Sequence, residues 1–322
     1  VREGHMPMTL AIGVVVAQSA TRFSATALDM APERIWRTRE ETPLEPDRTS
    51  VVIERLVREI EAEAHVDDAD GGAVCCALEA DLDASRERVL ALRHAPGWHG
   101  AALRDALARR LRRTVSLATL TEAAAVAEIE RGSGRGYGSM LYLLPARGVT
   151  ACLIEHDQIL RGAHGMAGTL DRWPTGETGA FGRLGVVASA QAIVRAMIGR
   201  ASASDESTEA MLRVSGGRAE AMTAAQVVAL ATQGDPAARA VIEDASDALA
   251  RALGPLVLML DPGVIIIGGA LALAAPLYLD MVNERLRALL AGGADPPAVV
   301  LGQMEPMAAL TGAGLLAARL RP

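Results

Sequence analysis

Three stretches of this chain carry residue types and spacings that could touch a ligand. The first is Asp261-Pro262-Gly263-Val264-Ile265-Ile266-Ile267-Gly268-Gly269-Ala270. A strand running into paired glycines lets backbone approach a ligand closely at the mouth of a sheet, which makes Gly268 and Gly269 binding candidates. A tight strand-to-helix turn is the plainer use of the same pair. The second stretch is Thr119-Leu120-Thr121-Glu122, which opens an alanine-rich helix containing Ala127-Glu128. Thr119 and Glu122 are its candidates, a hydroxyl and a carboxylate three residues apart. The third runs from Arg161 through Gly168-Thr169-Leu170-Asp171-Arg172, where Gly168, Thr169 and Arg172 are the groups that could meet a ligand.

Some chemistry is excluded outright. None of the 32 basic residues is a lysine, so neither Schiff-base catalysis nor a Walker-type phosphate loop can occur. The three cysteines, Cys75, Cys76 and Cys152, have no disulfide or zinc spacing and read as small buried hydrophobes in a reducing compartment. No metal site and no cofactor are indicated. A net charge of −7 argues against nucleic-acid binding by this chain alone, because phosphate contact needs a basic footprint. No run of about 18 uncharged apolar residues suggests a membrane span, and a cytoplasmic protein is expected.

The elements that must position these residues follow from periodicity. Strands are expected at 9–18 and 23–30, with a third extended stretch at 34–41, and a buried strand at 73–79. Amphipathic helices are expected at 48–64, and at 99–113 where Leu103, Leu107 and Leu111 fall four apart. A short strand at 115–118 leads into the helix over 122–131. A glycine-rich stretch at 132–138 then marks a hinge. After it, 139–144, 150–154 and 158–161 read as an antiparallel meander. A helix follows at 186–198, then a polar surface segment at 201–222. A long helix from Asp235-Pro236 to Leu260 is expected to bend near Pro255. The strand at 264–267, a helix at 272–291, a strand at 298–302 and a last helix from Leu310 close the chain. Strand meander followed by helix-strand-helix occurs twice, which predicts two α/β domains of similar design with a cleft between them.

The Asp261–Ala270 segment, Pro96-Gly97-Trp98, Arg161-Gly162-Ala163-His164-Gly165-Met166-Ala167-Gly168 and Leu310-Thr311-Gly312-Ala313-Gly314 resemble, in order and spacing, the ROK family of repressors, open reading frames and sugar kinases. The resemblance covers roughly residues 10 to 320. It implies a two-lobed actin-like (ribonuclease-H-like) fold with an interdomain cleft. The lobes would span 9–118, completed by a C-terminal helix at 305–322, and 119–304.

Set against the family's kinase pattern, the functional positions are altered. The family's Asn-Asp-Ala-Asn run reads Thr119-Leu120-Thr121-Glu122, so the aspartate that takes the sugar hydroxyl proton falls on Leu120. Glu122 stands two residues on, about 200° around a helix start, which sets it against serving as the base. The sugar-gripping Gly-Glu-x-Gly-His reads Gly168-Thr169-Leu170-Asp171-Arg172, and the remaining zinc and sugar positions read Gly176, Thr178, Arg183 and Gly185. The two phosphate loops read Val15–Ser19 and Ala146-Arg147-Gly148-Val149-Thr150. The expectation is therefore a non-catalytic relative, the effector-binding and dimerisation part of a transcriptional regulator. It would bind a sugar-like effector as a homodimer, and the DNA-binding helix-turn-helix that such regulators carry ahead of this domain is not seen in the chain. The alternative is an ATP-dependent sugar kinase.

Overall fold

The computed structural model describes residues 10–17, 21–27, 38–40, 45–63, 72–92, 95–176, 182–269, 271, 276–293 and 295–320. Gln18, Ser19, residues 34–37, Thr178 and Ala270, all singled out above, lie outside them. The chain divides into two compact units. One takes in Val1–Glu130, Arg161–Met166 and Met307–Pro322, the other Arg131–Leu160 and Ala167–Pro306.

In the first unit the elements run β1 (Leu10–Val16), β2 (Thr21–Ala27), β3 (Thr38–Glu40), α1 (Pro46–Glu63), β4 (Val74–Leu78), β5 (Asp81–Leu82), β6 (Val89–Ala91), α2 (Leu103–Leu111), β7 (Val115–Thr119) and α3 (Leu120–Arg131). The sheet order is β3-β2-β1-β4-β7. β1 pairs antiparallel with β2 and parallel with β4, and β4 pairs parallel with β7. Alternation along β1 sorts its side chains between two layers. Ile12, Val14 and Val16 join Ile53, Leu56, Val57, Trp98, Leu103, Leu107 and Leu111 under α1 and α2. Ala11 and Val15 lie on the opposite face with Cys75, Ala77 and Ala118. Trp98 is fully buried, the packing anchor of the first of these layers.

The second unit repeats the plan. Its elements are β8 (Ser139–Pro145), β9 (Val149–Glu155), β10 (Gln158–Ile159), α4 (Leu184–Val187), α5 (Ala190–Ala201), α6 (Asp205–Val214), α7 (Ala224–Thr232), α8 (Pro236–Leu260), β11 (Val264–Ile267), α9 (Pro276–Leu289) and β12 (Val299–Leu301). The sheet order is β10-β9-β8-β11-β12, with β11 parallel to both β8 and β12. His156 and Asp157, both at positive φ, form the tight turn between β9 and β10. β11 is a continuous apolar run with every residue buried, as a strand covered on both faces requires.

Two differences from the sequence reading have local causes. The helix expected at 186–198 is two helices, because Ser189 caps α5 by accepting from the Ala192 N–H. The segment 201–222, read as a polar surface segment with no helix assigned, holds α6, capped by Ser204 accepting from the Ser207 N–H. α7 follows it, opened by a reciprocal cap between Thr223 and Gln226.

The chain end returns to the first unit as α10 (Ala308–Ala318). Leu310, Ala313 and Ala317 close the small-residue layer over Ala11, Val15, Cys75 and Ala123. The glycines of the Leu310–Gly314 motif permit this approach. A Cβ on Gly312 would lie 1.6 Å from the Ala123 carbonyl oxygen, and one on Gly13 of β1 would lie 2.5 Å from the Gly314 nitrogen.

Candidate functional site

β4 and β7 run parallel, so their carboxyl ends, at Leu78 and Thr119, open on the same edge of the first sheet. Ligands of open α/β sheets bind at such edges. The chain leaves β7 and enters α3 within one residue, and Thr119 and Glu122 hold that corner together. Glu122 N–H donates to Thr119 Oγ1 at 3.1 Å, and Thr119 N–H donates to Glu122 Oε2 at 2.8 Å. This is a capping box, which satisfies two N–H groups that a helix start otherwise leaves unpaired. The sequence reading treated the pair as ligand candidates and missed this role, although Thr-x-x-Glu before an alanine run is its signature.

The second carboxylate oxygen binds two arginines. Glu122 Oε1 accepts from Arg86 Nη2 at 2.9 Å and from Arg161 Nε at 2.8 Å. The Glu122 and Arg86 side chains are 5% and 11% exposed, that of Arg161 37%. Burial alone would raise the carboxyl's pKa. The charges of Arg86 and Arg161 and the Thr119 N–H outweigh it, so Glu122 lies below its usual value and stays ionised. Arg86 was not a candidate in the sequence. It sits in the turn after β5 at φ +58°, a left-handed backbone uncommon for a side-chain-bearing residue. Asp83 braces that turn, its carboxylate accepting from Glu87 N–H, Arg88 N–H and the Ser85 hydroxyl. Nothing local in the sequence marks Arg86, since its partner lies 36 residues on. Leu120, half-buried, packs against the small-residue layer under α10.

In the second unit β11 ends in Gly268-Gly269. A Cβ on Gly268 would lie 1.8 Å from the Tyr142 hydroxyl, and Gly269 holds φ +76°. The Gly269 N–H donates to Glu305 Oε1 at 2.8 Å, and Tyr142 donates to the same oxygen at 3.2 Å. The paired glycines thus form a turn anchored by a carboxylate. Gly168, at φ +83°, would place a Cβ 1.9 Å from the Ala151 carbonyl oxygen, so its position is fixed by a close backbone approach. Thr169 precedes the short 3-10 turn Leu170–Arg172 without capping it by its side chain. Arg172 is exposed and belongs to the second unit, whereas Glu122 belongs to the first. The turn at Ala146–Thr150 bonds to itself: Ala146 N–H donates to Gly148 O at 2.9 Å, leaving that donor unavailable to a phosphate.

The family's zinc does not fit the residues present. Of the described zinc positions, Gly176 has no side chain, Arg172 is an exposed cation, and Arg183 is a cation in a backbone bridge to Pro174. Among the described residues no cluster of three His, Cys, Asp or Glu could hold a metal ion. The cysteines are buried and in no disulfide. Burial pushes the Cys75 thiol up to about 12 and the Cys76 thiol well above its usual value, so neither of these two is poised to react. Among the described residues no helix is long and apolar enough to cross a membrane.

The ROK family model matches residues 17–319. A glucokinase of Thermotoga maritima is 28% identical over 197 residues, 59% of this chain and 61% of that protein, so the match spans less than two thirds of that relative. The N-acetyl-D-glucosamine kinase of Yersinia pseudotuberculosis is 25% identical over 306 residues, covering 92% of this chain and 95% of that protein. A ROK family glucokinase structure from Streptomyces griseus, in complex with glucose and AMPPNP, superposes with a TM-score of 0.81 at 24% identity, over 96% of this chain and 99% of its own. A ROK family transcriptional regulator, a homolog of the E. coli MLC protein, superposes equally well, with a TM-score of 0.81 at 20% identity over 97% of this chain and 78% of its own. At those identities the two structures establish the fold.

These findings correct the expectation of a protein without enzyme activity, because the sequence relatives are sugar kinases. The expectation rested on the altered positions at Leu120, Gly168–Arg172, the zinc positions and the two phosphate loops together. Phosphoryl transfer depends chiefly on positioning and electrostatic stabilisation, so altered motif residues do not by themselves exclude it. From residue 17 to residue 319, with an actin-like fold in mixed α/β sheets, this chain belongs to the ROK family.

Proposed function

We propose that the protein is a sugar kinase, transferring a phosphoryl group from ATP to a hydroxyl of a sugar-like substrate. The observation that carries this reading is the Glu122 carboxylate, held ionised at the carboxyl ends of β4 and β7 in a chain whose sequence relatives phosphorylate sugars. In the loose transition state of phosphoryl transfer the hydroxyl proton departs late. Glu122 does not need to accept it, and its low basicity suits it poorly for doing so. Its role is to hold Arg86 and Arg161 over the sheet edge. With Leu120 in place of a base, turnover is expected about 10²–10⁴-fold below that of a fully equipped kinase.

ATP affinity is expected to be low, because the Ala146–Thr150 turn spends its amide on itself. Gly268 and Gly269, at the carboxyl end of β11, are likewise engaged, the first packed against Tyr142 and the second donating its N–H to Glu305. Three buried cysteines in no disulfide suit a reducing cytoplasm, and family resemblance supports a homodimer. The test is ADP release over a panel of hexoses and N-acetylhexosamines at high ATP concentration, with product mass read in parallel. A phosphorylated sugar supports the reading, and ADP release without one opposes it.

A further inference from the structure

The cluster at the β7–α3 corner leaves part of a guanidinium unused. Two guanidiniums face the Glu122 carboxylate, and the Asp83 carboxylate adds its charge beside Arg86. The Asp83 oxygens are themselves engaged by two backbone N–H groups and a hydroxyl.

The donors are unevenly used. Arg86 Nη1 donates to the Leu82 and Asp83 carbonyls at 3.2 and 3.1 Å, Nη2 donates to Glu122, and Nε is buried with no partner. Arg161 gives only Nε to Glu122. Both its Nη groups lack a partner among the described residues, and the side chain stays 37% exposed. A guanidinium whose inner edge is pinned and whose terminal amino groups are open is a fork, and forks of this kind take carboxylates bidentately. The strain at Arg86 agrees with this. A left-handed φ at a residue with a side chain persists only when surrounding bonds enforce it, and such outliers gather at ligand clamps.

We propose that the substrate of this site is an acidic sugar, its carboxylate bound by the Nη fork of Arg161 while Arg86 and Glu122 hold that fork in place. The inference rests on the kinase reading for the sugar and on the arginine pair for the acid. Arg161 acts as a specificity residue and Glu122 as its positioning residue.

The test is calorimetric binding of matched pairs, D-glucuronate against D-glucose and D-galacturonate against D-galactose, to the full chain and to Arg161→Gln and Arg161→Lys. The expected result is at least one uronate bound about tenfold more tightly than its neutral hexose, the worth of a charge-assisted hydrogen bond. Arg161→Gln abolishes that ratio, and Arg161→Lys, which keeps the charge and loses the fork, restores it only in part. General damage to the fold lowers both affinities together and leaves the ratio standing. Equal affinities, a neutral preference, no binding of either uronate, or a ratio that survives Arg161→Gln each overturn the proposal. Phosphorylation of a neutral hexose alongside any of these leaves the kinase reading intact.

Discussion

Arg161 Nε and Glu122 Oε1 lie 2.8 Å apart, joining the loop after β10 to the first turn of α3 across 39 residues of sequence. The same oxygen accepts from Arg86, and its partner oxygen caps the helix. One carboxylate therefore serves three segments of the first unit, and its removal is felt at all three.

Glu122→Gln leaves two guanidiniums without their counter-charge. Breaking a buried pair from one side costs about 3–5 kcal/mol. The lower end applies here, since Arg161 is 37% exposed and water screens its share. Urea unfolding should show a loss of about 3 kcal/mol, against less than about 1 kcal/mol for an exposed pair such as Arg239–Glu243.

The same carboxylate predicts an acid limit. Its folded-state pKa lies below the ordinary 4.5, because Arg86, Arg161 and the Thr119 N–H outweigh its burial. A depressed folded value contributes stability that is present above the unfolded pKa and lost as pH falls through the folded one. The contribution should hold from neutrality down to about pH 5 and fall steadily below about pH 4. Thermal melts across that range, compared with Glu122→Gln, should show the variant's slope to be the shallower.

Gly312→Ala tests the seat of α10. The added methyl would stand 1.6 Å from the Ala123 carbonyl oxygen in α3, which is backbone and cannot rotate away. Overpacking of this kind costs about 1–3 kcal/mol. Chemical denaturation should place the variant in or above that range. Gly199→Ala, an α5 position with open space around it, should be neutral or mildly stabilising.

Much of the fold could be read in the chain because its signals are local. The spacing of Leu103, Leu107 and Leu111 marks α2, and the buried run Val264–Ile267 before paired glycines marks β11. α6 was missed because its surface is polar, although Ser204 announces its start. The site was only half legible. Thr119 and Glu122 were found as residues, yet as contacts for a ligand, while their capping box is a backbone arrangement that only the strand-to-helix corner reveals. Arg86 could not be found at all, since its worth lies in a tertiary partner and an unusual φ. The altered motif positions, Leu120 among them, were seen and overweighted together, because departures from the family's kinase pattern were read as loss of the whole reaction, whereas phosphoryl transfer rests chiefly on positioning and electrostatics.

The most direct test of the central claim is kinase turnover by the wild-type chain and by Leu120→Asp. Position 120 is half-buried at the start of α3, where a carboxylate can be solvated and favours the helix dipole. The account predicts slow ATP-dependent phosphorylation of a sugar by the wild type and a kcat about 10²-fold or more higher in Leu120→Asp. Folded protein that gives no sugar phosphate in either form, over neutral and acidic sugars alike, would contradict it.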